Sequence, residues 1–357
     1  MTVTTPPPSG TAQSPAGYAV ARGRSASFLV HRRAAVVACL LLIGLAGACL
    51  AALCLGESTV APEQAVRVVF GLSSTDEFVV GTLRLPRLTV GLLVGAALGV
   101  AGALIQTVAR NPLASPDVIG VTHGASALTV GALTYGVGSA TVLPYWSVGG
   151  GLLAAGLVYL FAWRGGLHAV RFVLIGIGFA VALRSLTQLF ITKADFQVAQ
   201  QAAVWMTGSL NGRGYQEAEP LAWALLLLLP AVLWAARAQR TVVLDDDTAT
   251  ALGVRLGPVR LALATLGVLL AALATGAAGP VDFVALLAPQ IARRLTRTAQ
   301  IPLLCSALAG ALITVLADVP ARVLFSPTEL PVGVVTAAIG APYLLWLIVN
   351  TRSGGRA

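Results

Sequence analysis

The sequence predicts an all-α polytopic membrane protein with about ten transmembrane helices, and three observations lead to this prediction. The chain of 357 residues is 57% hydrophobic and 10% charged, with a mean hydropathy of +0.85, so it has too few polar side chains to cover a soluble domain of this size. Apolar runs close to the ~20 residues that cross a bilayer recur along the chain. Basic residues lie mainly between these runs. We therefore attribute the net charge of +9 to helix orientation in the membrane, not to nucleic-acid binding.

Ten apolar stretches are long enough, or nearly long enough, to cross about 30 Å of hydrocarbon. The first follows an arginine pair and has no clear cleavage pattern, so we expect an uncleaved anchor. The stretch 281–296 contains Asp282 and ends in an arginine pair, so it should be buried in the bundle or cross only part of the bilayer. The ten stretches are 34–55, 86–109, 117–136, 142–163, 169–191, 220–236, 258–279, 281–296, 301–317 and 331–349.

The distribution of basic residues predicts that both termini are cytoplasmic and that the chain lies in a bacterial inner membrane. With the N-terminus inside, 16 of the 23 basic residues fall on the cytoplasmic side and Arg184 falls within a helix, in agreement with the positive-inside rule. The remaining six are conspicuous because they lie on the side that normally avoids basic residues; they are Arg67, Arg84, Arg87, Lys193, Arg213 and Arg322.

The domain organisation is expected to be a single membrane domain at 31–350 between two tails. Residues 1–30 are rich in Pro, Ser, Gly and Ala without apolar periodicity, so they predict a disordered cytoplasmic tail. Residues 351–357 predict a short cytoplasmic C-terminal tail. All four cysteines lie in apolar runs, so neither a disulfide framework nor a metal site is indicated, and no cofactor is expected.

The second predicted helix combines a glycine-rich face with two arginines at its outer mouth. Small residues at four-residue spacing let another helix approach closely, but such packing is common in transporters and identifies no substrate; the glycines are Gly91, Gly95, Gly99 and Gly102. Arg84 and Arg87 lie three residues apart, with Pro86 suited to the first helical turn. They indicate either an anion-binding patch or snorkelling of the side chains to lipid phosphates.

Five segments within residues 80–349 resemble those of one transporter family. They contain Arg-Leu-Pro-Arg at 84–87, Asn-Pro-Leu-Ala-x-Pro in the segment 111–125, Gly-Pro-Val-x-Phe in the segment 279–293, Asp-x-x-Ala-Arg at 318–322 and Leu-Pro-Val-Gly at 330–333. The chain is thus similar to the FecCD-type membrane permeases of ATP-binding-cassette (ABC) importers for iron siderophores, haem and cobalamin. The matching motif residues include Asn111, Pro112, Gly120, Pro289, Asp318, Pro331 and Gly333.

Four positions depart from the family pattern. Ala285 replaces a glycine, Gln290 replaces a histidine, and Asp282 introduces a charge. His123 stands where a small polar residue is expected. It is a candidate for the translocation pathway, although a buried, hydrogen-bonded histidine is an alternative interpretation.

The resemblance implies a type II ABC importer permease fold, in which the ten helices form two five-helix halves of opposite orientation. It also implies that Arg84, Arg87 and Arg322 form a receptor for acidic residues of an extracytoplasmic substrate-binding protein. Trp205 and Met206 resemble part of a short outer helix near the pathway. The pathway would run between this chain and a second permease, either another copy or a paralogue.

The segment 244–254 predicts a short cytoplasmic helix with an acidic start and a terminating glycine. It resembles the family's coupling segment, which contacts the ATPase subunit. The matching residues are Asp246, Ala249, Leu252 and Gly253. Its three consecutive aspartates could instead bind a cation, but no other residue with ligand spacing accompanies them.

The predicted function is transport of a ferric siderophore, without covalent chemistry in this subunit. The sequence contains no phosphate-binding loop and its single lysine is Lys193, so ATP must be hydrolysed by a separate ABC ATPase subunit. Cobalamin or haem is the alternative substrate. A secondary transporter is the alternative class; it would need intramembrane coupling groups, for which Asp282, Asp318 and His123 are the candidates.

Overall fold

The protein is described by a computed structural model that covers residues 18–22, 27–72, 75–117, 119–137, 142–163, 169–244, 246–325 and 328–353. These residues are almost entirely helical. A π-helical turn, Phe78–Arg84, continues directly into α3. The helices are α1 Arg32–Cys54, α2 Pro62–Val69, α3 Leu85–Ala109, α4 Val121–Thr134, α5 Leu143–Ala162, α6 Ala169–Lys193, α7 Phe196–Met206, α8 Tyr215–Val242, α9 Asp246–Ala251, α10 Leu256–Ala278, α11 Val284–Thr296, α12 Leu303–Val323 and α13 Val332–Ser353.

All ten apolar stretches are helices, which confirms the predicted all-α membrane fold. Seven of the described helices, α1, α3, α5, α6, α8, α10 and α12, are long and apolar enough to cross a membrane, and the Val332–Trp346 part of α13 is a shorter apolar helix. By contrast, α4 has 14 residues and α11 has 13. At 1.5 Å per residue they rise only about 20 Å. The partial crossing predicted for the stretch 281–296 matches the short α11.

Three features of the described residues differ from the sequence predictions. Part of the segment predicted as a disordered tail forms an antiparallel hairpin, Tyr18–Arg22 with Ser27–His31, in which β-branched and aromatic residues recur. The short outer helix α2 was not predicted, because eight residues are too few to give a membrane signal. At the other terminus α13 extends to Ser353, three residues beyond residue 350, where the membrane domain was predicted to end. Residues 1–17 and 354–357 lie outside the described residues.

Helix α3 forms the centre of the bundle. It packs against α8, α10, α11 and α12, and it is the most buried of the seven candidate spans. The glycines predicted to allow close packing lie at these contacts: a β-carbon at Gly99 would overlap the carbonyl oxygen of Ser306 in α12, and one at Gly102 would overlap that of Ala285 in α11. The glycine-rich face is therefore used for helix packing inside this chain.

We predict that Gly102→Ala destabilises the protein by about 3 kcal/mol, because backbone atoms of two helices would have to separate to admit the methyl group. Thermal unfolding in detergent measures the effect. The matched control is Gly156→Ala in α5, where nothing lies within 4 Å of the added carbon; it should be neutral or slightly stabilising, since alanine favours a helix over glycine. Equal melting temperatures for the two variants would contradict the close contact.

The ten membrane helices fall into two halves with corresponding features. The first half comprises α1, α3, α4, α5 and α6, and the second comprises α8, α10, α11, α12 and α13. The second helix of each half, α3 or α10, is the most buried candidate span of that half, and the third helix, α4 or α11, is the shortest. This correspondence agrees with two five-helix halves of opposite orientation.

The short third helices both begin inside the bundle. A left-handed residue precedes each, Gly120 with φ 86° before α4 and Phe283 with φ 65° before α11. Gly120 packs against Ala180, near the midpoint of α6, and Phe283 packs against Gly340, near the midpoint of α13. Since α6 and α13 are the fifth helices of the two halves, α4 and α11 start at equivalent depths from opposite ends of the bundle.

Candidate functional site

The outer end of the bundle, defined as the end that bears Arg84, Arg87 and Arg322, contains a buried cluster of charges. Arg84 donates through Nη1 to the carbonyl oxygens of Leu53 at 2.7 Å and Cys54 at 3.1 Å. Its Nη2 donates to the carbonyl oxygen and the hydroxyl of Ser58. Carbonyls at a helix C-terminus lack helical hydrogen-bond donors. Arg84 supplies donors to the carbonyls at the end of α1 and fixes the segment that follows this helix.

Arg87 and Arg322 share one carboxylate. Arg87 donates from Nε at 3.0 Å and from Nη2 at 2.8 Å to Oδ1 of Asp318, while Nε of Arg322 lies 3.1 Å from Oδ2 of the same residue. Arg322 also donates to the carbonyl oxygen of Ala52 at 2.9 Å. A second carboxylate, Glu329, accepts from Nη1 of Arg87 at 2.7 Å. The structure brings these three arginines together at one end of the bundle. The sequence did not indicate that they are buried and paired.

A pocket of about 340 Å³ opens beside this cluster, and all three arginines line it. Glu57 and Glu329 also line it. With Asp318, these carboxylates offset the three guanidinium charges. The pocket is therefore not the free cationic patch that the outer arginines alone suggest. Sequence reasoning missed Glu329, although it lies directly before the Leu-Pro-Val-Gly motif.

At the inner end, which bears α9, Asp246 joins two other segments. Its Oδ1 lies 2.6 Å from Nη2 of Arg110, in the loop after α3, and 2.6 Å from Nη2 of Arg260, in α10. Arg110 also donates to the carbonyl oxygen of Leu244 at 2.6 Å. Asp246 is thus paired with arginines, and no group of three or more His, Cys, Asp or Glu among the described residues could hold a metal ion. Asp245 lies outside the described residues.

The rest of the predicted coupling segment divides into a buried and an exposed side. Ala249 is fully buried, so it fixes α9 to the bundle. Leu252 is 68% exposed. Gly253 has φ 78° and ends the segment in the left-handed conformation that favours glycine. Leu252 is therefore the most exposed side chain among these three residues, and its contact with an ATPase stays a prediction.

We predict that Asp246→Asn lowers stability by about 1 kcal/mol or less at about pH 7, because the side chain is half exposed and the pairs are partly screened. The hydrogen bond from Arg260, helped by the charges of Arg260 and Arg110, holds the pKa of Asp246 below its usual 3.8. The stabilisation is therefore present above pH 3.8 and is lost as the pH falls through the lowered pKa. Melting temperatures of the two proteins should converge as the pH falls below the lowered pKa; a constant difference would contradict the ion pair.

The Asn-Pro segment after α3 is tied to α11. The side chain of Asn111 accepts from the backbone N–H of Leu113 at 2.9 Å, which closes a turn. Gln290 donates to the carbonyl oxygen of Pro112 at 3.2 Å and to the side chain of Gln106. Gln290, a departure from the family pattern, thus links α11 to the loop and to α3. These residues border an inner pocket of about 280 Å³ that Arg293 also lines.

Three chain segments meet closely near the outer end. Gly333 donates to the carbonyl oxygen of Gly208 at 3.0 Å, and a side chain at Gly333 would overlap the carbonyl oxygen of Thr207. Gly279 packs on the carbonyl of Trp205 in the same way. Pro331 precedes α13, and Pro289 is buried within α11. The motif glycine at 333 is therefore required by a backbone crossing between α7, α10 and α13.

The predicted pathway residues occupy different environments. Trp205 is buried, so its side chain contributes to packing, and its pathway role stays a prediction. Met206 is half-buried against a cluster that includes Val130 and Ala202. His123 is half-buried near the start of α4, and Asp282 is exposed in the loop before α11. Of these, Met206, His123 and Asp282 retain surface that a substrate could contact.

Helix α6 has a long face without a partner among the described residues. Along this face the exposed side chains are apolar from Val170 to Val181 and then become polar, with Arg184 and Gln188 exposed. Arg184 makes no hydrogen bond or ion pair within the described part of the chain. Sequence reasoning placed Arg184 inside a helix but gave it no role.

Comparison with known proteins identifies the family of this chain. The model of the FecCD transport family matches residues 40–350. The ferric enterobactin transport system permease protein FepG of Escherichia coli strain K12 is 40% identical over 324 residues, which cover 89% of this chain and 97% of FepG. The iron(3+)-hydroxamate import system permease protein FhuG of Bacillus subtilis strain 168 is 38% identical, with 84% and 92% covered.

A solved structure shares the fold. It is an inward-facing conformation of a metal-chelate type ABC transporter, and it matches with a TM-score of 0.77 at 27% sequence identity over 88% of this chain and 99% of the other. This match confirms the predicted type II importer permease fold. With the family match over almost the whole membrane domain, it leads to one conclusion: the chain belongs to the FecCD transport family.

Proposed function

We propose that this chain is the membrane-spanning subunit of an ABC importer that carries a ferric siderophore across the cytoplasmic membrane of a bacterium, with both termini inside. The observation that carries the proposal is the similarity of nearly the whole chain to permeases named for ferric enterobactin and iron(3+)-hydroxamate. The family consists of transport permeases, and we infer that this subunit performs no covalent chemistry itself. These named relatives favour an iron chelate over cobalamin or haem.

The outer end receives an extracytoplasmic binding protein in this proposal. Arg84, Arg87 and Arg322 surround one pocket, and arginines pair with carboxylates in a geometry that gives specificity as well as attraction. Arg84 is held by backbone carbonyls, so it has a fixed position. Acidic side chains of the binding protein would engage the rim of this pocket.

The inner end couples the subunit to a separate ATPase. Asp246 connects α9 to Arg110 in the loop after α3 and to Arg260 in α10. A displacement of Leu252 would therefore be transmitted to α3 and α10, the two most buried of the seven candidate spans. Transmission of a conformational change from the ATPase to the bundle requires such a connection between the contact surface and the central helices.

A second permease, either another copy or a paralogue, covers the open face of α6. An arginine exposed to hydrocarbon is energetically costly, so intramembrane arginines face a protein interior or a water-filled cavity. Arg184 and Gln188 lie on the exposed face of α6. We place the translocation pathway along this face, between two subunits. A gradient-driven mechanism gains no support, because Asp318, one of its candidate coupling groups, is paired with two arginines.

Purification of the tagged chain in mild detergent tests the proposal, with mass spectrometry of the recovered proteins from cells grown with and without iron. We expect an ATP-binding subunit to co-purify and the abundance of the complex to rise under iron starvation. An ATPase without an iron response would favour cobalamin or haem. Recovery of the chain without any ATPase would contradict the importer assignment.

A further inference from the structure

Glu329 occupies the outer pocket in the way that a docking carboxylate would. It lies in the connection between α12 and α13, and its Oε2 accepts from Nη1 of Arg87 at 2.7 Å. Both residues line the pocket shared with Arg84 and Arg322. One N–H group on Nη1 of Arg87 is therefore already in use within this chain, and the negative charge of Glu329 lies where a partner's carboxylate would approach. An acidic residue of a partner would compete with Glu329 for Arg87 and be repelled by it until Glu329 leaves.

The two carboxylates bound to Arg87 are held differently. Asp318 is 6% exposed and bridges Arg87 and Arg322 from within α12. Glu329 is 30% exposed, contacts Arg87 through one oxygen, and projects from a connection outside the helices. Removing Asp318 would leave two buried arginines without a shared partner, which is costly. Glu329 can instead rotate into water, so it is the exchangeable partner of the two.

Charge balance also favours an exchange. With Asp318, Glu57 and Glu329 in place, the three arginines of the pocket are neutralised. If Glu329 leaves, one guanidinium charge becomes uncompensated and Nη1 of Arg87 becomes free to donate. An incoming carboxylate would then restore both the charge balance and the hydrogen bond.

We propose that Glu329 is an internal substitute for the carboxylate of the binding protein, and that docking exchanges one for the other on Arg87. The inference rests on the proposed docking role of the outer end. It adds a residue that sets the affinity and specificity of docking: only a partner whose carboxylate reaches Arg87 more favourably than Glu329 does will bind. The exchange also keeps the arginines neutralised while no partner is bound.

The test uses the full chain in lipid nanodiscs and the purified binding protein identified with the importer complex. Glu329→Gln removes the competing charge while preserving the shape of the side chain, so binding should tighten about fivefold to tenfold. Glu57→Gln is the matched control: it removes the same charge from the same pocket, but Glu57 forms no ion pair with the arginines in the described residues. It should change affinity by less than about twofold.

Arginine labelling gives a readout that does not depend on the partner. Phenylglyoxal should modify Arg87 faster in Glu329→Gln than in the wild type or in Glu57→Gln, as measured by mass spectrometry. If Glu329→Gln does not fold, Glu329→Asp replaces it, since the shorter side chain should also loosen the contact. The exchange would be overturned if the Glu329 variant showed unchanged labelling of Arg87 and an unchanged or lower docking affinity. It would also be overturned if the Glu329 and Glu57 variants gained docking affinity equally.

The same experiment separates failure of this inference from failure of the docking assignment. If Arg87→Glu abolishes docking while Glu329→Gln does not strengthen it, the outer end is the docking site but Glu329 is not a competitor. If neither variant alters docking, the outer end is not the docking site and the inference fails with it.

Discussion

Arg87→Glu is expected to abolish docking of the binding protein, with a loss of affinity of at least about 100-fold. Among the described residues Arg87 pairs with two carboxylates, Asp318 and Glu329, and in our proposal a carboxylate of the partner takes the place of Glu329. Reversal would place a third carboxylate beside Asp318 and Glu329. It would thus replace attraction by repulsion at the centre of the contact, where like charges cost several kcal/mol.

Binding to the chain in nanodiscs, measured by biolayer interferometry, checks this result. Arg67→Glu is the matched control, because Arg67 lies on the same side of the membrane but is 54% exposed and pairs only weakly with Glu63, at 3.9 Å. Its docking should stay within about threefold of the wild type. Association with the ATPase should survive both changes. Docking of Arg87→Glu at wild-type affinity, in a protein that is still folded, would remove the receptor role of the outer end.

Leu252→Asp is expected to uncouple the ATPase, reducing ATP-driven transport to about one tenth or less. Leu252 is the most exposed apolar side chain of the segment 244–254 in the described residues, and a charge there would be buried without a partner on association. The fold should be unaffected, because Leu252 has few contacts to lose. Transport and stimulated ATP hydrolysis in proteoliposomes measure the effect. Deletion of residues 246–250 should have the same result.

The control for this prediction is Leu295→Asp. Leu295 is also an exposed leucine at the inner end, at the end of α11, but it lies outside the α9 segment. Transport should remain close to the wild-type rate. If both leucine variants transport normally, and the deletion does too, then α9 does not couple the subunit to an ATPase.

The membrane helices could be predicted because their main determinant is local. A run of apolar residues long enough for the hydrocarbon layer is visible in the sequence itself, and all ten stretches proved helical. The depth of α4 and α11 was not visible. It depends on where Gly120 and Phe283 pack along α6 and α13, which are tertiary contacts between distant segments. Only the charge at Asp282 gave a local hint of incomplete crossing.

The arginines of the outer end show the same limit. Their position near the membrane surface follows from the order of charged and apolar residues. Their partners do not: Asp318 is 231 residues from Arg87 and Glu329 is 242 residues away. Arg84 pairs with backbone carbonyls, which every residue possesses, so no residue type could have identified them. Sequence reasoning therefore located the cluster but not its charge balance.

The departures from the family pattern gain different explanations from the structure. Gln290 is accounted for by its hydrogen bonds to Pro112 and Gln106. Ala285 is compatible with the close crossing of α3 and α11 because its backbone, not its side chain, faces Gly102. The contacts of the described residues do not explain the replacement at His123. It remains, with Arg184, a candidate for contact with the substrate along α6.

Reconstitution tests the central claim most directly. The permease would be incorporated into liposomes with its co-purifying ATPase and binding protein, and uptake of a radiolabelled ferric siderophore would be followed with and without ATP. We predict uptake that requires ATP, the binding protein and an intact ATPase. Uptake that follows an ion gradient and proceeds without the ATPase would contradict the assignment of this chain as an ABC importer permease.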